Sequence, residues 1–126
     1  LCPHGAAKSV IAKAYFNRLA SQLNLPFIAD SAGTEPDEVI SPTVVHLLMD
    51  DGLDVSQHIP RHVTTNDLQG AKRIISMGCT AQELNIDANQ LQIWADVPMV
   101  SQGPQSARDI IRSHVEKLIN ELTLSD

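Results

Sequence analysis

Apolar residues recur at helical spacing between Ser9 and Asn24, where Val10, Ile11, Ala14, Phe16, Leu19 and Leu23 fall. The pattern predicts a helix of roughly four turns, closed by Pro26 because the residue before a proline avoids the helical region. The period then changes. Pro26–Ser31 (PFIADS), Ala71–Met77 (AKRIISM) and Leu91–Trp94 (LQIW) are short apolar runs next to turn residues, and each predicts a strand. Ser41 and Pro42 open a second helix, with serine as cap and proline in the first helical position. It carries Val44, Val45, Leu47, Leu48 and Met49 and stops near Gly52. Thr65–Gly70 predicts a short helix, Thr80–Gln90 a helix or loop, and Pro98–Pro104 a loop. Gln105–Leu122 is the longest periodic run, with Ala107, Ile110, Ile111, Val115, Leu118, Ile119 and Leu122 on one face.

Helices thus alternate with short apolar strands. This predicts an α/β fold in three layers, α/β/α, around a parallel sheet. Three strands are visible, and an open sheet calls for a fourth. Its natural place is just before Cys2, so the expectation is a four-stranded sheet whose first strand is largely missing from this chain, with Leu1 as its last residue. One domain over residues 1–126 accounts for the length.

Composition narrows the classes. Hydrophobic residues make up 43% and charged residues 19%, a globular rather than a disordered balance. The net charge of -6 argues against a nucleic-acid partner. No apolar run approaches the roughly 18 residues of a membrane span, so no membrane partner is expected and the cytoplasm is the expected compartment. Cys2 and Cys79 are too few for a disulfide framework, which leaves packing, metal, redox or catalytic roles for them.

The segment Cys2-Pro3-His4-Gly5-Ala6-Ala7-Lys8-Ser9 lies between an expected strand end and a helix start. Small residues at Gly5, Ala6 and Ala7 let the backbone come close to a ligand, and consecutive N–H groups there form an anion nest. The helix N-terminus adds partial positive charge and Lys8 a full one. A cysteine in this field is held as thiolate, the nucleophilic form. The Ser9 hydroxyl can donate to that thiolate. Such a loop suits attack on phosphorus or arsenic; read plainly, it is a strand-to-helix turn with a buried cysteine. Cys2 and His4 lack the second pair of ligands a zinc site needs, and His46, His58, His62 and His114 follow no metal spacing, so neither metal nor cofactor is expected. Arg61 and His62 are either a solvated surface pair or extra positive charge for the anion.

Cys-x5-Lys-Ser at the head of a helix resembles the C-x5-R-[ST] phosphate loop of low-molecular-weight protein tyrosine phosphatases and of the related thioredoxin-coupled arsenate reductases. Asp30-Ser31-Ala32-Gly33-Thr34 resembles that family's SAGT turn, and Ser56–Arg61 followed by Thr65-Asn66-Asp67-Leu68 its S-x4-R and T-x-x-D-L segments. Ile74–Cys79 (IISMGC) is similar to its third strand, and Ile93–Pro98 (IWADVP) to the tryptophan-containing segment that carries its acid. Arg108-Asp109-Ile110-Ile111 fits its last helix.

The resemblance implies hydrolysis of a phosphate monoester, phosphotyrosine among them, through a phosphocysteine on Cys2. Pro3 to Lys8 would bind the phosphate-like oxyanion, Ser9 would support the thiolate, and Asp96 would be the acid. Two departures stand out. The family arginine is Lys8 here, a point charge where a guanidinium fork would hold two oxygens. The family's Asp-Pro step is absent; Asp96 lies two positions before Pro98. Two alternatives follow. One is an arsenate reductase in which Cys79 attacks a Cys2 adduct and a small thiol or glutaredoxin completes the relay. The other is an oxyanion-binding protein without turnover.

Overall fold

The computed structural model describes residues 1–124, so the last two residues of the expected 1–126 domain lie outside it. Helix α1 runs from Lys8 to Gln22. It ends before Pro26 exerts its restriction, because Asn24 turns into the left-handed region at φ 55° and Leu25 N–H closes on Ala20 O at 2.9 Å. Helix α2 spans Pro42–Met49, and the Ser41 hydroxyl accepts from Val44 N–H, as the sequence predicts. Helix α3 spans Thr65–Gly70 behind a reciprocal cap between Thr64 and Asp67. The expected helix or loop at Thr80–Gln90 resolves into a short helix α4, Ala81–Leu84, and a 3-10 turn, Ala88–Gln90. Helix α5 spans Pro104–Leu124.

Two of the three expected strands pair. Strand β1, Ile74–Ser76, lies parallel to β2, Leu91–Ile93, with Ile74 opposite Leu91 and Ser76 opposite Ile93. Pro26–Ser31 is not part of the sheet. Its side chains still alternate between half-buried Phe27 and Ala29 and exposed Pro26, Ile28 and Asp30, but no neighbouring strand pairs with its backbone among the described residues. Extended geometry follows from the local sequence, whereas a ladder needs a partner. Among the described residues the sheet has two strands where four were expected, and Leu1 hydrogen-bonds to the edge of β1 away from β2.

The larger hydrophobic cluster joins α1, α2 and α5 through Ile11, Leu48 and Ile111, none of which is exposed. Met77 and the partly buried Ile75 pack into it. A smaller cluster of Ala32, Val63, Cys79 and Leu84 packs with Leu68 and Leu91. No described helix is long and apolar enough to cross a membrane.

Arg61 ties three segments together. Its guanidinium grips both Asp67 oxygens, at 2.7 and 3.1 Å, and donates to Asp30 at 2.9 Å. This bond is the main reason the Asp67 carboxyl is held at about 2. A carboxylate with a folded pKa below its unfolded value of about 3.9 stabilises the fold above that pH and loses its contribution as pH falls toward 2. Arg61→Ala should therefore remove about 1 kcal/mol at neutral pH, after discounting for solvent screening. The difference from wild type should shrink between about pH 4 and 2, as read from Tm against pH.

Candidate active site

The loop from Cys2 to Ala7 turns into the first residues of α1, and its carbonyls are engaged. Pro3 O accepts from Glu35 N–H at 2.7 Å, His4 O from Asp37 N–H at 3.0 Å and Ala6 O from Ser41 N–H at 3.0 Å. Cys2 O accepts from Gly5 N–H at 3.2 Å. Segment 35–41 thus holds the loop by its acceptors and leaves donors over. The N–H groups of His4, Ala6 and Lys8 have no carbonyl partner among the described residues, and Ala7 caps α1 without a side-chain bond. Free amides at a helix N-terminus form an anion site. The small residues Gly5, Ala6 and Ala7 marked this turn in the sequence; the segment that shapes it was not legible there.

Two glycines make the turn possible. Gly5 sits at φ 58°, where side chains are strained. Gly33 approaches so closely that a Cβ there would lie 2.5 Å from Pro3 O and 2.8 Å from Cys2 O. Gly33 is a site-forming residue that the sequence marked only as a turn.

Cys2 and Ser9 are both buried, with Cys2 Sγ 3.1 Å from Ser9 Oγ. Burial pushes the Cys2 thiol up. The Ser9 hydroxyl and the Ser9 amide pull it down, as do the nearby Leu1 amine charge and the Ala7 amide, and the net direction is below the usual thiol value. The hydrogen-bond donors around Cys2 thus favour its thiolate form.

The two assisting residues are engaged elsewhere. Lys8 Nζ donates to Val97 O at 3.1 Å, lashing the segment after β2 to the start of α1. The Asp96 carboxylate pairs with His114 Nε2 of α5 at 2.7 Å, and that bond is the main cause holding its carboxyl below the usual range. His114 in turn stacks on Trp94, with centroids 4.6 Å apart. Segment 96–97 therefore reaches the loop through Val97, while the Asp96 side chain is bonded to α5. His4 Nδ1 lies 3.1 Å from Glu35 O and 3.3 Å from an Asp37 oxygen, which places it on the loop rim. Arg61 is neutralised by Asp30 and Asp67, and this overturns its reading as spare charge for the anion.

Cys79 is buried in the smaller cluster, 3.8 Å from Thr34 Oγ1. Ser76, fully buried, fixes its backbone: the hydroxyl accepts from Cys79 N–H at 2.8 Å and donates to Cys79 O at 2.6 Å. A lone serine in the apolar run AKRIISM was the available signal. Ser76→Ala would strand both backbone groups and should cost about 1–3 kcal/mol in urea unfolding. The neighbouring Gly78 abuts the loop, since a Cβ there would lie 3.0 Å from Pro3 Cδ.

The comparisons agree with this geometry. The low molecular weight phosphotyrosine protein phosphatase family model matches residues 1–101. A putative arsenate reductase from Halobacterium salinarum is 28% identical over 131 aligned positions, covering 100% of this chain and 92% of that protein. The low molecular weight protein tyrosine phosphatase of T. tengcongensis superposes with a TM-score of 0.79 at 21% identity, covering 95% of each chain. The arsenate reductase of Archaeoglobus fulgidus superposes with a TM-score of 0.71 at 27% identity, over 94% of this chain and 95% of that one. The nest, the buried cysteine and serine, and the match over residues 1–101 together make this chain a member of the low molecular weight phosphotyrosine protein phosphatase family.

Proposed function

We propose that the chain hydrolyses a phosphate monoester, phosphotyrosine included, through a phosphocysteine. The Cys2 thiolate attacks phosphorus, a Cys2 S–P bond forms, and the ester oxygen leaves and takes a proton. Water then attacks phosphorus, the S–P bond breaks, and phosphate and the thiolate are released. The free loop amides of His4, Ala6 and Lys8 stabilise the oxygens that gain charge. Lys8 adds its point charge by exchanging Val97 O for the anion. Asp96 is the proton donor of this reading, and donation requires release from His114, because that bond favours its ionised form. The observation that carries the proposal is the buried Cys2 thiol beside Ser9 at 3.1 Å, with its pKa lowered, at an open amide nest.

Acid-quenching a mixture with an aryl phosphate or a phosphotyrosine peptide should leave a phosphoryl group on the Cys2 peptide by mass spectrometry. No adduct and no turnover, with phosphate still stabilising the fold, would make the protein an oxyanion binder instead.

A second reading is favoured by the Halobacterium salinarum relative and by a free, buried Cys79 that follows Gly78, the residue abutting Pro3 of the loop. In it, Cys79 attacks a Cys2–arsenic adduct, arsenate is reduced to arsenite and a Cys2–Cys79 disulfide forms. A small thiol or glutaredoxin then reduces the disulfide. Cys79→Ser separates the two: phosphatase activity should persist within a few-fold, whereas thiol-coupled arsenate reduction should disappear.

A further inference from the structure

Two neighbouring residues after β2 are drawn in opposite directions. Val97 O accepts from Lys8 Nζ at 3.1 Å, at the end of the loop that carries the free amides. The Asp96 carboxylate turns to α5 instead, where it lies 2.7 Å from His114 Nε2. His114 is itself fixed by packing. Its ring stacks on buried Trp94, with centroids 4.6 Å apart and planes within 9°. Lys117, also on α5, adds positive charge facing the same carboxylate, and the hydrogen bond from His114 is the foremost interaction that keeps Asp96 ionised. An ionised carboxylate has no proton to give a leaving oxygen.

The carboxylates that touch the loop do not take its place. Glu35 N–H donates to Pro3 O, and a trans peptide points the following His4 N–H the opposite way. Glu35 therefore lies behind that free amide, and Asp37 is turned to the His4 ring at 3.3 Å. The mouth also offers no phenyl, phenol or indole ring to grip an aryl group. Tyr15, Phe16 and Trp94 are buried, Phe27 lies against Lys72, and segments 35–41 and 96–103 contain none.

We propose that His114 is a positioning residue that keeps Asp96 retracted, and that the site consequently prefers acyl phosphates, mixed anhydrides whose leaving group departs as a carboxylate. This rests on the phosphocysteine reading above and narrows its substrate class. A carboxylic acid has a pKa of about 4 and a phenol of about 10, so at neutral pH the carboxylate leaves without a proton, whereas a phenolate needs one. The Cys2 sulfur attacks phosphorus, an S–P bond forms, and the P–O bond to the acyl group breaks with its electron pair leaving on the carboxylate. Water then opens the S–P bond. The products are the Cys2 thiolate and inorganic phosphate, which keeps both protons of the water. Freeing Asp96 from His114 restores a proton donor and extends the site to poorer leaving groups.

The test compares acetyl phosphate with phenyl phosphate by kcat/KM. Wild-type protein should favour acetyl phosphate by at least about a hundredfold, a gap of the size that a general acid closes. His114→Phe keeps a ring on Trp94 and removes the hydrogen bond. It should raise kcat/KM for phenyl phosphate, so that the acetyl-to-phenyl ratio falls about tenfold. Adding Asp96→Asn should cancel that gain, because the freed carboxyl is its source. His114→Gln retains an N–H donor and should keep the wild-type ratio. Should His114→Phe fail to fold, wild-type protein supplies the check alone: kcat/KM should fall about tenfold or more from 4-nitrophenyl to phenyl phosphate, the steepness of a site without a donor. A flat series in wild-type protein, or a wild-type ratio in folded His114→Phe, overturns this inference and leaves the phosphocysteine reading standing. Absence of both turnover and a Cys2 phosphoryl adduct with acetyl phosphate overturns the two together.

Discussion

Gly33→Ala should abolish most of the proposed activity although a glycine has no side chain to offer a substrate. Its new methyl would stand 2.5 Å from Pro3 O, 2.7 Å from Gly5 N and 2.8 Å from Cys2 O. Those are backbone atoms of the nest, with no flexible side chain to yield. The loop has to move, and the segment that would move with it is already held by Glu35 and Asp37. A displacement approaching 1 Å at reacting groups costs about 10²-fold, so a fall of that order in kcat/KM toward an aryl phosphate is expected. Phosphate binding, read by calorimetry, should weaken in parallel, and overpacking should cost about 1–3 kcal/mol of stability. Gly70→Ala is the control: no atom lies within 4 Å of the added carbon, and both readouts should stay close to wild type. Wild-type activity in Gly33→Ala would show that the nest does not depend on this close approach.

Cys2→Ser should remove turnover, by on the order of 10³-fold or more, since an alkoxide is far harder to generate than a thiolate and no base beside it assists. Binding should go the other way. The free amides to which the proposal assigns the anion, those of His4, Ala6 and Lys8, are untouched. The substitution also removes whatever negative charge the lowered thiol carries beside a dianion. Phosphate should therefore bind Cys2→Ser at least as tightly as wild type. Loss of binding together with turnover would mean that the sulfur, rather than the amides, organises the loop.

Much of this was legible along the chain. The helical period of residues 10–23 and 107–122, the Ser41-Pro42 start and the run from Cys2 to Ser9 are local signals, because caps, turns and periodicity depend on near neighbours. The match of Cys-x5-Lys-Ser and its downstream motifs pointed to the family that the comparisons then showed. The misreadings were non-local. Pro26–Ser31 has a strand's alternation but no strand pairs with it among the described residues. Of the two readings of Arg61, the one as extra charge for the anion fails because Asp30 and Asp67 close on it.

The sequence by itself determined the main helices, the cysteine at a helix start and the small residues that let amides converge. Tertiary structure alone decided the rest. It brought Gly33 against Pro3, gave segment 35–41 the loop carbonyls and turned Lys8 to Val97 O and Asp96 to His114. The physical reason is the same in each case. A side chain's charge and shape are written at its own position, but which acceptor it reaches depends on backbone that arrives from far along the chain.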